Sequence, residues 1–325
     1  MSVLLSVNDL RVRYPLPGSL ATLVNRNRPT YVDVVHGVSL QIKRGETIAI
    51  VGESGSGKTT LAMALCGLAP VLSGEVIFDG QKLEPDRNQR LNPDRKRVAL
   101  MFQDAVGSLS PRMTVGKALA EPFLIHPHSS KQPEKEAYRL LNMVGLGDEF
   151  ADRYPHQLSG GQARRVGMAR ALALKPDILI ADEPTAGLDV SVQGEVLNLL
   201  TGLQEEMGLG VMIITHNLNI VRHIASEMAI MYLGRFVEQG DSQQIFDQPR
   251  HPYTAALLAA NPSTDPDAAK ERIELKGEVP SLMQRPAGCE FHTRCPRMQS
   301  NCRESFPEIS RTGKNQAFNC FYPLG

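Results

Sequence analysis

Over its first 240 residues the chain alternates short apolar, β-branched runs with segments of helical pattern. Such alternation predicts an α/β domain. The predicted strands are Leu4–Val7, Val34–Ile42, Thr47–Val51, Glu75–Phe78, Val98–Phe102, Ile178–Ala181, Val211–Thr215 and Met228–Leu233. Between the strand that ends at Phe102 and Pro176 the pattern is helical, with helices expected at Lys135–Val144 and Gln162–Leu174. We therefore predict an inserted helical subdomain at about residues 104–175.

The pattern changes after Gly240, where prolines punctuate the chain and one short helix is expected at Tyr253–Ala260. This change predicts an α/β domain over residues 1–245 and a small, irregular, cysteine-containing extension over residues 246–325. The stretch Pro15–Pro29, which is rich in proline and polar residues, is expected to form an extended loop between the first two strands.

Composition narrows the possible classes of function. Lysine plus arginine equal aspartate plus glutamate at 35 each among 325 residues, so no net field draws the protein to nucleic acid or anionic lipid. The sequence has no apolar run of about eighteen residues, and its first residues do not predict a secretory leader. We expect a cytosolic protein that does not span a membrane by itself.

A phosphate-binding loop lies between the predicted strand Thr47–Val51 and a helix-forming run. Its glycines let the backbone N–H groups point at a triphosphate, at a helix N-terminus that already favours anions. Lys58 supplies a positive charge for the β- and γ-phosphates, and the Thr59 hydroxyl can ligate Mg²⁺. The sequence therefore predicts nucleoside triphosphate binding by Gly52, Glu53, Ser54, Gly55, Ser56, Gly57, Lys58, Thr59 and Thr60.

Two carboxylates, Asp182 and Glu183, end the apolar run that starts at Ile178. A strand beside the phosphate loop would bring both to the nucleotide, where Asp182 suits the Mg²⁺ shell and Glu183 can polarise the attacking water. Taken alone, the pair could equally be two solvated acids at the end of a strand. The phosphate loop favours the catalytic interpretation.

A second anion-binding helix start is predicted at Ser159, Gly160, Gly161 and Gln162. This motif follows Leu158, precedes two arginines and lies about twenty residues before Asp182. On these motifs the chain resembles the ATP-binding-cassette (ABC) ATPases. The segment from Leu158 to Gln162 would be the signature motif of that family. The resemblance implies a dimer in which each ATP lies between one subunit's phosphate loop and the other subunit's signature motif.

The resemblance also assigns roles to single residues. Gln103 matches the Q-loop glutamine, which contacts Mg²⁺ and the attacking water, and His216 matches the switch histidine, which contacts the γ-phosphate. Asp189 matches the D-loop, which reaches across the dimer interface. Tyr14 is the expected adenine-stacking residue, with Tyr31 as the alternative. None of the catalytic positions is degenerate, so we expect an active ATPase rather than an inactive regulator.

The extension contains two further signals, a His-Pro-Tyr segment at His251–Tyr253 and four cysteines. The first resembles a segment typical of the dipeptide, oligopeptide and nickel importer ATPases. Gaps of five, six and seventeen residues separate the cysteines, unlike the short knuckle of structural zinc sites. Four thiolates can hold a 4Fe–4S cluster, as some members of this branch do, with zinc as the alternative and inert thiols as a third interpretation. The candidate ligands are Cys289, Cys295, Cys302 and Cys320.

Together these signals predict the ATPase subunit of an ABC importer for peptides or related small solutes, on the cytoplasmic face of the cell membrane. The implied partners are a second ATPase subunit (the same chain or a paralogue), two permease subunits and a solute-binding protein, with no nucleic acid. The alternative is a soluble ABC ATPase of DNA repair or translation. That alternative is disfavoured because the chain has one cassette and no sustained heptads.

Overall fold

The computed structural model describes residues 2–16, 31–83, 93–261, 277–313 and 315–325. Apart from its first two residues, the predicted loop Pro15–Pro29 lies outside this part of the chain. The strands are β1 Val3–Pro15, β2 Tyr31–Lys43, β3 Thr47–Val51, β4 Val71–Phe78, β5 Gln81–Lys82, β6 Val98–Met101, β7 Ile178–Asp182, β8 Gly210–Thr215, β9 Glu227–Tyr232, β10 Arg235–Asp241, β11 Ser310–Thr312 and β12 Gln316–Phe318.

All eight predicted strands are present, and β1 and β2 are longer than predicted because polar residues occupy their outer faces. The α-helices are α1 Lys58–Leu65, α2 Val115–Ile125, α3 Pro133–Met143, α4 Gly160–Leu172, α5 Val190–Met207, α6 Leu218–Ile224, α7 Ser242–Asp247, α8 Pro252–Ala260 and α9 Asn301–Glu304. No helix of the described residues has the length and apolar character needed to cross a membrane.

The chain divides into two compact units, and the first contains the parallel strands β6, β7 and β8. Every residue of β7 and β8 is buried, which explains why the strands contain no polar side chain before their last residues, Asp182 and Thr215. Between β6 and β7 the structure has helices and no strand, as predicted for the helical insertion. This unit comprises Met1–Leu5, Ile42–Thr47 and Phe78–Ile214.

The second unit contains β3, which precedes the phosphate loop and runs parallel to β9. Antiparallel pairing then continues from β9 to β10, from β10 to β12 and from β12 to β11. In a separate sheet β1 lies between β2 and β4. This unit comprises Ser6–Gln41, Ile48–Ile77 and Thr215–Gly325.

The C-terminal extension therefore supplies two strands that the sequence analysis missed. Its side chains also enter the core around β3 and β9, where Tyr253 and Phe291 are at most 1% exposed. In this core they pack with Val51, the residue just before the phosphate loop. The proposed boundary at residue 245 stays a prediction, although the extension and β3 share one core.

Candidate functional site

The phosphate loop joins the end of β3 to the start of α1, as predicted. Two of its glycines leave no room for a side chain. A Cβ atom on Gly52 would lie 2.2 Å from the Met231 carbonyl oxygen. Gly57 has a φ of 104°, and its Cβ atom would lie 2.8 Å from the Val34 carbonyl oxygen. The backbone can take this compact shape because glycine tolerates both close approach and positive φ.

Lys58 lies inside this loop and is only 8% exposed. Its ammonium group donates to the carbonyl oxygens of Gly52 and Glu53 at 2.8 and 2.9 Å. A cavity of about 270 Å³ adjoins the loop and contains the lysine and threonine positions predicted for phosphate and Mg²⁺. The loop geometry thus fits an anionic ligand. The cavity is lined by Val34, Gly55, Gly57, Lys58, Thr59, Thr60 and Leu282.

The C-terminal extension contacts the phosphate loop at Glu53. Arg294 donates through both terminal nitrogens to the Glu53 carboxylate, at 2.7 and 3.0 Å. The Glu53 backbone N–H donates to the Tyr253 hydroxyl at 3.1 Å. Neither Arg294 nor Leu282 was identified from the sequence, because residues 241 positions apart, such as Arg294 and Glu53, leave no local pattern.

The His-Pro-Tyr segment has a structural explanation of its own. His251 caps α8 by accepting from the Tyr253 N–H at 3.1 Å through Nδ1. Burial lowers the pKa of His251 to about 3, so the ring is neutral and this nitrogen can accept. Pro252 occupies the first turn, where a missing N–H costs nothing. The buried Glu238 carboxylate accepts from the N–H groups of Arg250 and His251, at 2.7 and 2.9 Å.

In the first unit, β7 ends at Asp182, which is 3% exposed. Glu183 follows with a φ of 49°, and its N–H donates to the Ile214 carbonyl oxygen at 2.8 Å. Gln103 is exposed just beyond the neighbouring parallel strand β6. Gln103, Asp182 and Glu183 therefore lie at the same edge of this sheet. His216 follows β8, is exposed and belongs to the second unit.

The predicted signature forms the start of α4. The exposed Ser159 hydroxyl accepts from the Gln162 N–H at 3.3 Å, and the Gln162 side chain accepts from the Ser159 N–H at 3.0 Å. This reciprocal pair is a capping box. A Cβ atom on Gly161 would lie 2.6 Å from Val192. The glycine is thus required by packing against α5, whichever ligand the helix start binds.

Arg164 on α4 connects two predicted catalytic segments. Its guanidinium donates to the Gln103 carbonyl oxygen and, at 3.1 Å, to the Ala186 carbonyl oxygen. Desolvation lowers the pKa of this arginine, which is 7% exposed. Asp189 is exposed and caps α5 by accepting from the Val192 N–H at 3.0 Å. Arg164 was noted in the sequence only as a basic residue, because its contacts depend on the tertiary fold.

The two candidates for adenine stacking differ in their surroundings. Tyr14 is half-buried within β1, whereas Tyr31 is 47% exposed at the start of β2. The Arg13 guanidinium lies 3.9 Å from the centre of the Tyr31 ring, an arrangement typical of a cation–π contact. One face of Tyr31 is therefore already covered. The choice of Tyr14 stays a prediction.

The four cysteines of the extension line one small cavity, together with Phe291 and other side chains. Its volume is about 10 Å³, room for roughly one water molecule. Burial raises the pKa of Cys289 to about 12 and that of Cys320 to about 11. In the described part of the chain no group of three or more His, Cys, Asp or Glu side chains is arranged to hold a metal ion.

Known proteins resemble the chain over nearly its whole length. Residues 35–186 match the family model described as ABC transporter, and residues 237–302 match the oligopeptide/dipeptide transporter C-terminal region. A dipeptide transport ATP-binding protein of Haemophilus influenzae is 41% identical over 98% of this chain and 96% of its own length. The chain belongs to the ATP-binding-cassette transporter family. An oligopeptide transport ATP-binding protein of Bacillus subtilis is 40% identical over 98% and 96% of the two lengths.

Solved ABC structures have the same fold. A dimeric cassette in a post-hydrolysis state, bound to ADP and phosphate, is 29% identical with a TM-score of 0.61, covering 73% of this chain and 98% of that one. A subunit from an ABC transporter complex of Clostridium perfringens is 29% identical with a TM-score of 0.63, covering 76% and 92%. The predicted ABC ATPase fold and ATPase class are thus confirmed. The roles of single residues stay predictions.

Proposed function

We propose that this protein is the ATP-hydrolysing subunit of an ABC importer for peptides. The observation that carries the proposal is the hydrogen bond between the His-Pro-Tyr segment and the phosphate loop, from the Glu53 N–H to the Tyr253 hydroxyl. The segment that resembles peptide importers therefore contacts the loop that we propose binds ATP. Among the described residues no comparable feature favours a soluble ABC ATPase of DNA repair or translation. Relatives along the whole chain are named for dipeptide and oligopeptide transport.

Each chemical role that ATP hydrolysis requires has a candidate residue in this chain. Lys58 would bind the β- and γ-phosphates, exchanging its present carbonyl partners for phosphate oxygens. Thr59 and Asp182 would hold Mg²⁺, which when bound offsets the negative charge of the phosphates. Glu183 would accept a proton from the attacking water. His216 would contact the γ-phosphate as in the resembled family.

Gln103 would orient the same water and contact Mg²⁺. Arg164 donates to the Gln103 carbonyl oxygen and so holds the backbone of the glutamine in place, while its exposed side chain can move. Ser159 and Asp189 are also exposed. We propose that they, with Gly160, Gly161 and Gln162, act at the interface with a second ATPase subunit. That partner is either another copy of this chain or a paralogue.

A cleft of about 330 Å³ in the first unit is our candidate for the permease contact. It lies between α2 and the Q-loop segment, and its lining includes Phe102 and Ile125, which are 44% and 66% exposed. Exposed apolar side chains around a cleft are typical of an interaction site. A cytoplasmic helix of one permease subunit would bind there, and the second ATPase subunit would bind the other permease subunit. Such an assembly would place the protein on the cytoplasmic face of the inner membrane with a solute-binding protein outside.

Changing Ile125 to glutamate should uncouple the ATPase from its permease. A charge on this exposed apolar residue would have to be desolvated in the interface, and we expect at least about tenfold less assembly with the membrane subunits. ATP binding by the isolated chain should not change. Ile309→Glu, at a residue 51% exposed in the C-terminal extension, is the matched control. Equal assembly of both variants would exclude the cleft as the permease contact.

We also propose that Cys289, Cys295, Cys302 and Cys320 bind one metal centre, preferably a 4Fe–4S cluster and otherwise zinc. The proposal is supported by their position around one cavity and by the affinity of thiolates for both centres. The described residues hold no group of three or more ligating side chains arranged for a metal ion, so binding would require the four thiols to rearrange. Its role would be to stabilise the extension.

Replacing Cys302 with serine should release the metal, because serine is a poor ligand for either centre. We expect iron and sulfide, or zinc, to fall from about one centre per chain to near zero. Cys66→Ser, which alters the cysteine outside this set, should keep the metal. The measurement is elemental and sulfide analysis after anaerobic purification. Absence of iron and zinc from the unaltered protein, with four freely reactive thiols, would refute the proposal.

The cargo can be tested on the complex itself. The tagged full-length chain should co-purify from native membranes with two integral membrane subunits. After reconstitution with its solute-binding protein, this complex should hydrolyse ATP faster when di- or oligopeptides are present and should import them. Stimulation by another solute class and not by peptides would retain the ATPase assignment and overturn the peptide assignment.

A further inference from the structure

We propose that Arg294 and Tyr253 are positioning residues for ATP binding, which hold Glu53 so that the phosphate loop accepts a triphosphate. The C-terminal extension would then help to position the phosphate loop of its own subunit for ATP. It rests on ATP binding by this loop and is independent of the transported solute.

The first observation is the ion pair between Arg294 and Glu53. Both terminal nitrogens of the arginine reach both oxygens of the carboxylate, at 2.7 and 3.0 Å. The arginine side chain is 7% exposed and the glutamate side chain 27%. A paired, planar geometry of this kind is among the stronger charge-assisted contacts and fixes direction as well as distance.

The second observation is that the backbone of Glu53 is held on both sides. Its N–H donates to the Tyr253 hydroxyl, and its carbonyl oxygen accepts from the Lys58 ammonium and from the Ser56 N–H at 3.2 Å. Glu53 is therefore fixed at its side chain, its N–H and its carbonyl oxygen. Because it is the second residue of the loop, its orientation determines where the following N–H groups point.

The third observation is that Arg294 itself is presented by a well-anchored turn. Its N–H donates to the Phe291 carbonyl oxygen at 3.0 Å, and Phe291 is 1% exposed in the core shared with β3. In the same turn the buried Glu290 carboxylate accepts from Arg235 and Arg285, at 2.8 and 3.0 Å. The guanidinium is thus placed in advance and does not have to be ordered when ATP binds.

Charge explains why the loop needs this partner. A carboxylate in the loop that binds a triphosphate opposes the ligand unless a cation balances it. Arg294 supplies that cation and turns the carboxylate towards the extension. Tyr253 accepts from the Glu53 N–H, which lies between Gly52 and the next glycine of the loop, Gly55. Loss of Arg294 would leave the negative charge of Glu53 unbalanced next to the nucleotide.

The experiment compares the full-length chain with five variants by titration of a fluorescent ATP analogue in the presence of Mg²⁺. Arg294→Gln should raise the dissociation constant about tenfold, Arg294→Lys less, and Tyr253→Phe about threefold. Arg311→Gln, which alters an exposed arginine of the same extension, should have no effect. Thermal unfolding of every variant, followed in parallel, measures any loss of stability.

The deciding variant is Glu53→Gln combined with Arg294→Gln. Removing the unbalanced carboxylate should restore most of the lost affinity, whereas a purely structural role of Arg294 predicts no recovery. Unchanged affinity in Arg294→Gln, or a double variant as weak as the single one, would overturn the proposal. Failure of the unaltered protein to bind the analogue would contradict the assignment of the loop as an ATP site. That result is distinct from a failure of the positioning role, which only the variants can show.

Discussion

Replacing Glu183 with glutamine should lower ATP turnover at least about 100-fold while leaving ATP affinity nearly unchanged. General base catalysis by a positioned carboxylate contributes roughly 100- to 10,000-fold, and an amide cannot accept the proton of the attacking water. The substitution preserves size, and the backbone N–H that donates to the Ile214 carbonyl oxygen is retained. The ATP-bound state should therefore accumulate, with two subunits held together around unhydrolysed nucleotide.

The measurement is single-turnover hydrolysis together with the mass of the ATP-bound species in solution. Glu206→Gln, at an exposed glutamate near the end of α5, is the control and should hydrolyse ATP at the unaltered rate. Turnover by the Glu183 variant close to that of this control would remove Glu183 from the mechanism and require another base.

Replacing Lys58 with alanine should raise the dissociation constant for ATP by roughly 100-fold, because the only side-chain cation seen inside the described loop is lost. Ser159→Asp should leave ATP binding intact, since aspartate also caps helices well. The added charge at the signature would nevertheless repel a partner's γ-phosphate, and we expect turnover to fall by a similar factor. Each homodimer should thus be almost inactive for a different reason.

Mixed dimers of the two variants test whether the signature acts on the partner's nucleotide. One of the two composite sites would combine the intact phosphate loop of the Ser159 variant with the intact signature of the Lys58 variant. We expect turnover well above that of either homodimer, measured on dimers isolated through two affinity tags. No gain in verified mixed dimers would contradict action across the interface. Lys131→Ala, at an exposed lysine before α3, is the control for the lysine change.

Strands and loops with strong local signals could be predicted from the sequence. The run Thr47–Val51 forms β3 with the predicted ends, because a fully buried parallel strand is apolar or β-branched along its whole length. The phosphate loop was equally clear, since close backbone contacts require glycine at Gly52 and Gly57, and a positive φ favours it at Gly55. In both cases the information lies within a few consecutive residues.

Elements defined by distant partners could not be predicted in this way. Strand β10 includes the buried Glu238, and a charged residue within the run argues against a buried strand. The burial is explained only by the hydrogen bonds that residues 250, 251 and 316 donate to this carboxylate. The three-residue strand β12 is recognisable only by its pairing with β10 and β11. Likewise, Tyr253 and Arg294 reach Glu53 across 200 and 241 residues of sequence.

The pairing of β12 with β10 has a consequence for shortened forms of the protein. A chain that ended at residue 245 would retain β10 but lose its neighbour, which exposes a row of unpaired backbone donors and acceptors. Such an open edge is a template for addition of strands from other molecules. The apolar surface now covered by Phe291 would be exposed in the same step. Trimming this cassette to its ATPase core should therefore yield self-associating material, even where every residue of the phosphate loop is retained.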